Sequence, residues 1–451
     1  MSSVIKIRKG LNIKLGGRAE KIIMPERQVS RYCIKPTDFQ GLTPKLEVSE
    51  GDFVQEGQSL FYDKKRPEIR FTSPVCGKVT AIIRGDKRAL LGVQVDKEGN
   101  ERINFGAADP ETLSREQVKE KILASGLWPA IRQRPYNIIA DPAVVPKSVF
   151  VSAFNTAPLS GDIDFIMSNM HGKHFQTGIN CLAKLTDGKI HISFEEDGSR
   201  AEELKNVSGV ERHFFSGPHP AGNPGVHIHL IDPVSKGDTV WVINIQDVSA
   251  LGKLFDEGVY SPERIIALAG PSVIKPGYYR TLAGASLATI VADNIKGDDN
   301  RIISGNVLTG TTEGKTGSLG FYDDMITVIP EGRYNEFFGW LSPGFGKFSF
   351  WRAFLGKISP RKEYVLDTNL HGGVRPFVLS GQYEKVFPMD IYPIHLLKAI
   401  LAEDIELMEK LGIYEVAEED FALCEYIDPS KTEMQEIIRR GINLMIKEMN
   451  Y

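Results

Sequence analysis

The chain has 451 residues with a net charge of −4, and its 42% hydrophobic and 25% charged residues are the proportions of a folded globular protein; at that length it demands three or more domains, because single cores stop growing at about 250–300 residues. No long basic run supplies an electrostatic footprint for nucleic acid, and no stretch of roughly 20 apolar residues offers a bilayer span. The four cysteines, Cys33, Cys76, Cys181 and Cys424, are scattered without a CxxC pair, which excludes a local disulfide framework or four-cysteine zinc site and fits a reducing compartment.

At the start, Lys6, Arg8 and Lys9 interrupt a short apolar segment, so no secretory leader is expected and the chain reads as cytosolic. Val48 to Ile82 looks like a biotinyl/lipoyl-type hammerhead. Gly51 in Glu50-Gly51-Asp52 permits a tight turn, and a second turn follows at Glu56-Gly57. Val48, Phe53, Val54, Leu60, Phe71 and Val79 suit small packed strands. Ser73-Pro74 and Gly77 mirror the first half. Lys64, in Asp63-Lys64-Lys65, sits near the place of a carrier's modified lysine, but Arg66-Pro67 lengthens the tip. The stretch reads as a structural docking module, and no lipoyl or biotinyl group is expected.

Further along, Glu111 to Ser125 reads as an amphipathic helix with Val118, Ile122 and Leu123 on its apolar stripe and Gly126 as its stop. Ser148 to Ala153 is an apolar strand, Asn155 to Gly161 a turn-rich loop, and Asp162 to Met170 and His174 to Leu185 follow as helices. That order predicts an α/β unit with a partly parallel sheet. A dinucleotide fold wants G-x-G-x-x-G after the strand, and the pattern is absent. His227 and His229 are expected to alternate on one face of a strand, without a carboxylate or thiolate spaced to complete a metal site. Arg264 to Gly270, Arg301 to Ser304 and Met325 to Ile329 read as strands, with a short helix over Ser286 to Ala292. Asp298-Asp299 and Asp323-Asp324 are expected to be solvated. Pro393 to Gly412 and Thr432 to Met449 are helical by periodicity.

Several short motifs occur in a specific order: Ile5 to Leu11, Asp63-Lys64-Lys65, Phe71-Thr72-Ser73-Pro74, Gly126-Leu127-Trp128, Arg134-Pro135, Gly217-Pro218-His219-Pro220-Ala221-Gly222, Ile243 to Val248, Arg301 to Gly305, Phe338-Gly339-Trp340, Tyr383 to Val386 and Leu423-Cys424. In that order they resemble the NqrA family, which supplies one of the subunits of the sodium-translocating NADH:quinone oxidoreductases. More distantly the chain is similar to RnfC and to the flavin-bearing subunit of complex I. The resemblance runs from about residue 5 to about residue 430. It implies a multidomain α/β chain with a barrel-sandwich domain over 1–105 and a Rossmann-like domain related to the complex I flavin domain over 106–258. A β-grasp (soluble-ligand-binding) domain over 259–330, a family-specific extension over 331–390 and a helical C-terminal region over 391–451 complete it. In the relatives a glycine-rich loop holds flavin where this chain reads Asn155-Thr156-Ala157-Pro158-Leu159, and Pro158 removes an amide donor. The relatives' cysteine cluster is reduced to Cys424, where a cluster wants four thiolates.

The resemblance therefore implies a cofactor-free peripheral subunit on the cytoplasmic face of the bacterial inner membrane. It contributes to quinone binding at the last electron step of an NADH:ubiquinone reductase. The membrane-spanning NqrB and the flavin-bearing NqrC of a six-subunit complex are the implied partners. Flavins, iron, an iron–sulfur centre and the sodium path belong to such partners. A quinone slot wants apolar walls and a few donors. The candidates are Phe39 and Leu42, on a loop with an exposed-looking aromatic, then Trp128, Ile131, Arg132, Arg134 and Tyr136 around a rigid turn, and His219. Two other readings stay open: a soluble flavin- or NADH-dependent oxidoreductase, and an assembly scaffold without a ligand.

Overall fold

In the computed structural model, residues 4–170, 174–314, 316–334, 337–339, 341, 343–351, 354–355, 358, 363–377 and 381–449 are described. Trp340, part of one of the motifs above, lies outside them. The described residues form a mixed α/β assembly built on four sheets.

The N-terminal part pairs two small antiparallel sheets. One runs Arg31–Ile34, Leu90–Lys97, Gly77–Arg84, Phe53–Val54, and the other Pro44–Leu46, Ser59–Asp63, Arg70–Thr72. Side chains in strands alternate between faces. Gly77–Arg84 obeys this at its start, with Val79 buried between exposed Lys78 and Thr80. Val54, Leu60, Phe61, Phe71, Val79 and Val93 fill the space between the sheets. Phe53 does not join them. Its two-residue strand turns Val54 inward, which leaves Phe53 54% exposed. Lys64 is exposed in the turn that follows Ser59–Asp63.

A seven-stranded sheet forms the middle of the molecule, in the order Val4–Lys6, Glu211–Ser216, Lys189–Glu195, Ser148–Ser152, Val240–Asn244, Arg132–Arg134, Ile138–Ile139. The first five strands are parallel. The last two form an antiparallel edge. The opening strand thus hydrogen-bonds in this sheet, and the chain enters the barrel-sandwich only afterwards. The helix expected from Glu111 begins instead at Arg115. Pro110–Thr112 makes its own short turn, and Ser114 with Gln117 forms a capping box that fixes the start. Its end falls at Gly126 with φ +78°, as read from the sequence.

Helices Phe175–Leu185 and Ile245–Glu257 cross at close range on one face of the sheet. Glycine makes this possible. A Cβ on Gly178 would lie 1.9 Å from the carbonyl oxygen of Val248, and one on Gly252 would lie 1.7 Å from that of His174. His227 and His229 occupy helix Pro224–Ile231, not a strand, because Asn223-Pro224 starts a helix there. Two residues apart on a helix, they point to different sides. His227 Nε2 meets the Ala221 carbonyl at 2.8 Å, whereas His229 Nδ1 meets Glu415 at 2.7 Å and its Nε2 accepts from the Asp390 N–H.

The fourth sheet runs Gly277–Leu282, Glu263–Ala269, Met325–Pro330, Asn300–Ser304, Thr311–Thr312, with helix Leu287–Val291 beside it. Only Glu263–Ala269 and Met325–Pro330 pair in parallel. Asp298 and Asp299 are exposed as expected, but Asp323 and Asp324 are half-buried. Ser304 Oγ donates to Asp323 at 2.6 Å, and burial raises both carboxyls, that of Asp324 to about 6. The C-terminal helices include Pro393–Leu401 and Met434–Glu448, which pack together with Gly441 against Ile400.

Candidate functional site

The loop after strand Arg31–Ile34 begins with a 3-10 turn, Pro36–Asp38, which Pro36 starts. Phe39, expected to be exposed, is 3% exposed. Its ring lies 4.5 Å from Phe71, 4.9 Å from Phe321 and 5.6 Å from Tyr322. Apolar transfer explains the correction, since a Phe beside three aromatic rings gains by leaving water. The loop thereby clamps the barrel-sandwich to the fourth sheet. Lys35 reinforces the clamp by pairing with Glu313 and standing 3.5 Å from Asp38. Asp38 accepts from the Phe321 N–H at 2.9 Å. Burial outweighs these partners and lifts its carboxyl to about 6.

Two cavities flank this loop. The larger, about 630 Å³, has apolar walls that include Phe39, Leu42, Leu46 and Leu90, and three cations at Lys45, Arg84 and Arg88. None of the three forms an ion pair among the described residues. The smaller, about 140 Å³, is polar, and Asp38, Gln40, Arg132, Asn137, Tyr322 and Glu418 line it. Gln40 borders both cavities. The Arg132 guanidinium sits 4.8 Å above the Tyr322 ring and donates to Asn137 Oδ1 at 3.4 Å. Tyr322 is itself fixed, its hydroxyl donating to the Pro129 carbonyl at 2.7 Å. Arg132 forms no direct ion pair among the described residues, although its charge favours the ionised forms of Asp247 and Asp323, and this half-buried cation faces the polar hole with donors to spare.

The other sequence candidates lie elsewhere. Trp128 and Ile131 are fully buried; the Trp128 indole donates to Ala140 and meets Trp241 edge-on at 5.5 Å. Arg134, 2% exposed, pairs with Glu419 at 2.8 Å. Tyr136 adopts φ +83° and its ring lies 6.2 Å from Tyr414. His219 N–H donates to Asn12, and its Nδ1 stands 3.1 Å from Thr156 Oγ1. Burial holds that imidazole down at about 4, so it is neutral at pH 7. Phe39, Leu42 and Arg132 thus line the cavities, whereas Trp128, Ile131, Arg134, Tyr136 and His219 line neither. The cations Lys45, Arg84 and Arg88 were not singled out in the sequence, because the cavity that gathers them with the Phe39 loop is formed by separate segments of the chain.

The sheet order changes direction between Ser148–Ser152 and Val240–Asn244, where doubly wound sheets bind ligands beyond the carboxyl ends. Here that crevice is engaged by the chain itself. Asn155 Oδ1 accepts from the Ala157 N–H, and Ser160 Oγ donates to the Asn155 carbonyl. The fourth sheet closes over it: Tyr278 Oη accepts from the Asp162 N–H at 2.8 Å, and the Gln246 amide bonds both backbone groups of Ile265. Cys424 is buried and its thiol is pushed well up. Among the described residues no group of three or more His, Cys, Asp or Glu side chains is placed to hold a metal, and no helix is long and apolar enough to cross a membrane.

Comparison with known proteins matches three family models in order: the NqrA N-terminal barrel-sandwich hybrid domain over 5–98, the NqrA second alpha/beta domain over 113–260, and the NQRA C-terminal domain over 265–314. Among curated proteins, the NqrA subunit of the Na(+)-translocating NADH-quinone reductase of Yersinia pseudotuberculosis serotype I (strain IP32953) is 42% identical over 440 residues, 97% of this chain and 98% of its own. That of Photorhabdus laumondii is 40% identical over 449 residues, 99% and 100% of the two chains. That of Neisseria meningitidis serogroup A is 41% identical over 449 residues, again 99% and 100%. Among solved structures, an air-oxidized NAD+-reducing [NiFe]-hydrogenase is similar at 13% identity and a TM-score of 0.39, over 76% of this chain and 65% of that one.

Proposed function

The chain belongs to the NqrA family, whose members are subunits of the Na(+)-translocating NADH-quinone reductases, a translocase complex, and on that premise we propose that its part is to bind and orient the quinone at the last electron step. In this reading it sits peripherally on the cytoplasmic face. A flavin-bearing partner delivers the electrons, and a membrane-spanning partner carries the sodium path.

The observation that carries the reading is Arg132, a cation in no direct ion pair among the described residues, beside Gln40, where a 140 Å³ polar hole adjoins a 630 Å³ apolar-walled cavity. A quinone ring presents carbonyl acceptors, and Arg132 and Gln40 present donors. An isoprenoid tail seeks apolar walls of the kind Phe39, Leu42, Leu46 and Leu90 supply. Trp128, Ile131, Arg134 and Tyr136 hold the hairpin that aims Arg132, and His219 braces the loop beyond the central sheet.

The same reading takes 106–258 as a relative of the complex I flavin domain without its flavin. Its support is the parallel strand order together with Pro158 and the seating of Tyr278 over the switch-point crevice. It takes 259–330 as a β-grasp domain, 331–390 as a family extension and 391–451 as a helical end. Flavin, iron and an iron–sulfur centre then belong to the partners.

Titration of the purified protein with a short-chain quinone tests the site. Arg132→Ala is expected to weaken binding about tenfold or more, the loss of one charged hydrogen bond. Unchanged affinity in Arg132→Ala and Gln40→Ala would remove the site. A flavin absorbance in the purified chain would favour the self-sufficient oxidoreductase instead.

A further inference from the structure

The tip of the hairpin formed by Gly77–Arg84 and Leu90–Lys97 faces the Phe39 loop across the larger cavity. The lining of that cavity holds three cations, Lys45, Arg84 and Arg88, and no carboxylate. A separate element brings each cation there. Arg84 ends its strand, and its Nη1 donates to the Arg88 carbonyl at 3.2 Å, which folds the side chain over the turn. Arg88 closes the turn Asp86–Arg88 at φ +62°, next to Lys87 at φ +52°, two successive residues in the left-handed backbone that L side chains rarely adopt. Lys45 lies in the middle of strand Pro44–Leu46, with its Nζ 5.5 Å from the centre of the Tyr62 ring. Tyr62 and, after it, Glu47 favour the charged form of Lys45, and neither lines the cavity.

The rest of the lining is largely apolar. Leu42, Leu46 and Leu90 continue from Phe39, and Leu91 stands 38% exposed at its edge. Three like charges gathered without an acid among them repel one another, and an anion relieves that repulsion. A guanidinium offers paired donors in the plane that phosphate oxygens match, and an ammonium adds a point charge. A neutral isoprenoid tail makes no use of the three cations. A bare anion makes no use of the leucines. A ligand that uses both carries an anionic head on an apolar chain.

We propose that this cavity binds a phosphate-headed amphiphile, an anionic phospholipid: the phosphate seats on Arg84, Arg88 and Lys45, and the acyl chain lies along the leucine wall. Binding is non-covalent and saturable. The inference does not rest on the quinone reading, whose donors are Arg132 and Gln40, and its test contains no quinone.

Calorimetric titration of the purified full-length chain with dihexanoylphosphatidylglycerol, kept below its micelle concentration, decides it. One-to-one binding is expected. Dihexanoylphosphatidylcholine, whose choline offsets the phosphate, is expected to bind about tenfold more weakly or less. Inorganic phosphate, which has no chain to bury, is expected to bind about tenfold more weakly as well. Arg84→Gln and Arg88→Gln should each lower the affinity for the glycerol lipid about tenfold, and Leu91→Ser roughly fivefold. Arg132→Ala should leave it unchanged, which separates a failure here from a failure of the quinone site. Thermal unfolding like the parent's shows that the variants fold. No saturable binding of the glycerol lipid overturns the proposal, as does undiminished affinity in both arginine variants. Equal affinity for the choline lipid reduces the site to an apolar groove, and equal affinity for inorganic phosphate to a free-anion site; either result overturns it too.

Discussion

At the scale of single residues, burial sets the chemistry of this molecule more than charge pairing does. Asp38 stands within reach of Lys35 and accepts a backbone N–H, yet its carboxyl is lifted from 3.8 to about 6. An acid whose pKa is raised by folding binds its proton more tightly in the native state. Its protonation therefore contributes stability below about 4 that is lost as pH rises through about 6. Denaturant midpoints should fall across that window, and Asp38→Asn, which keeps an acceptor for the Phe321 N–H, should flatten the fall. An identical slope in the variant would show that other carboxyls carry it. Arg134 makes the opposite case. It is buried and its one ion pair is to Glu419, while its Nε and Nη1 find no partner among the described residues. Glu419 keeps some contact with solvent, so Arg134→Ala should cost less than the roughly 3–5 kcal/mol of a fully buried pair, and Arg134→Met less again. Because the Arg134 hairpin also carries Arg132, Arg134→Ala and Tyr136→Ala should weaken quinone turnover in the assembled complex. NADH oxidation by artificial acceptors should persist in both. Arg132 was legible in the sequence as a donor near a rigid turn. That it forms no direct ion pair among the described residues was not, since that depends on what distant segments leave beside it.

At the scale of elements, what could be read locally came out close to the structure, and what depended on neighbours did not. The helix ending at Gly126 was visible because a C-terminal glycine acts within its own turn. Its start was misplaced by four residues because Ser114-x-x-Gln117 competes with the earlier turn of Pro110–Thr112, and the capping box wins by satisfying two amides at once. His227 and His229 read as a strand because their alternation is short, and Asn223-Pro224 decides the helix from outside that window. Glycine inside a helix usually signals weakness, but Gly178 and Gly252 sit where two helices nearly touch. Gly252→Ala should therefore destabilise by more than the usual overpacking cost of about 1–3 kcal/mol, against the stabilisation that Gly→Ala ordinarily brings to an exposed helix. A melting temperature equal to or above the parent's would mean that the helices part without cost.

At the scale of the whole molecule, the barrel-sandwich is joined to the fourth sheet through contacts between residues more than 270 apart in the sequence: Lys35 with Glu313, Asp38 with the Phe321 N–H, and Phe39 with Phe321. No periodicity or motif announces such a joint, which is why Phe39 read as a surface aromatic although its loop was singled out. Its burial also gives the two cavities their shape, because the same loop walls one and borders the other. Joint and site are then one structure, and a change at Phe39 should disturb both. Phe39→Ala removes a side chain packed among three rings, a loss of about 3–5 kcal/mol, taken largely from the contact between domains. Calorimetry of the variant should resolve an early transition of the barrel-sandwich ahead of the rest. Proteolysis should cut first in the joint, and quinone affinity should fall with Arg132 intact. A single undivided transition with unaltered quinone binding would mean that the central sheet, and not this loop, holds the two ends of the molecule together.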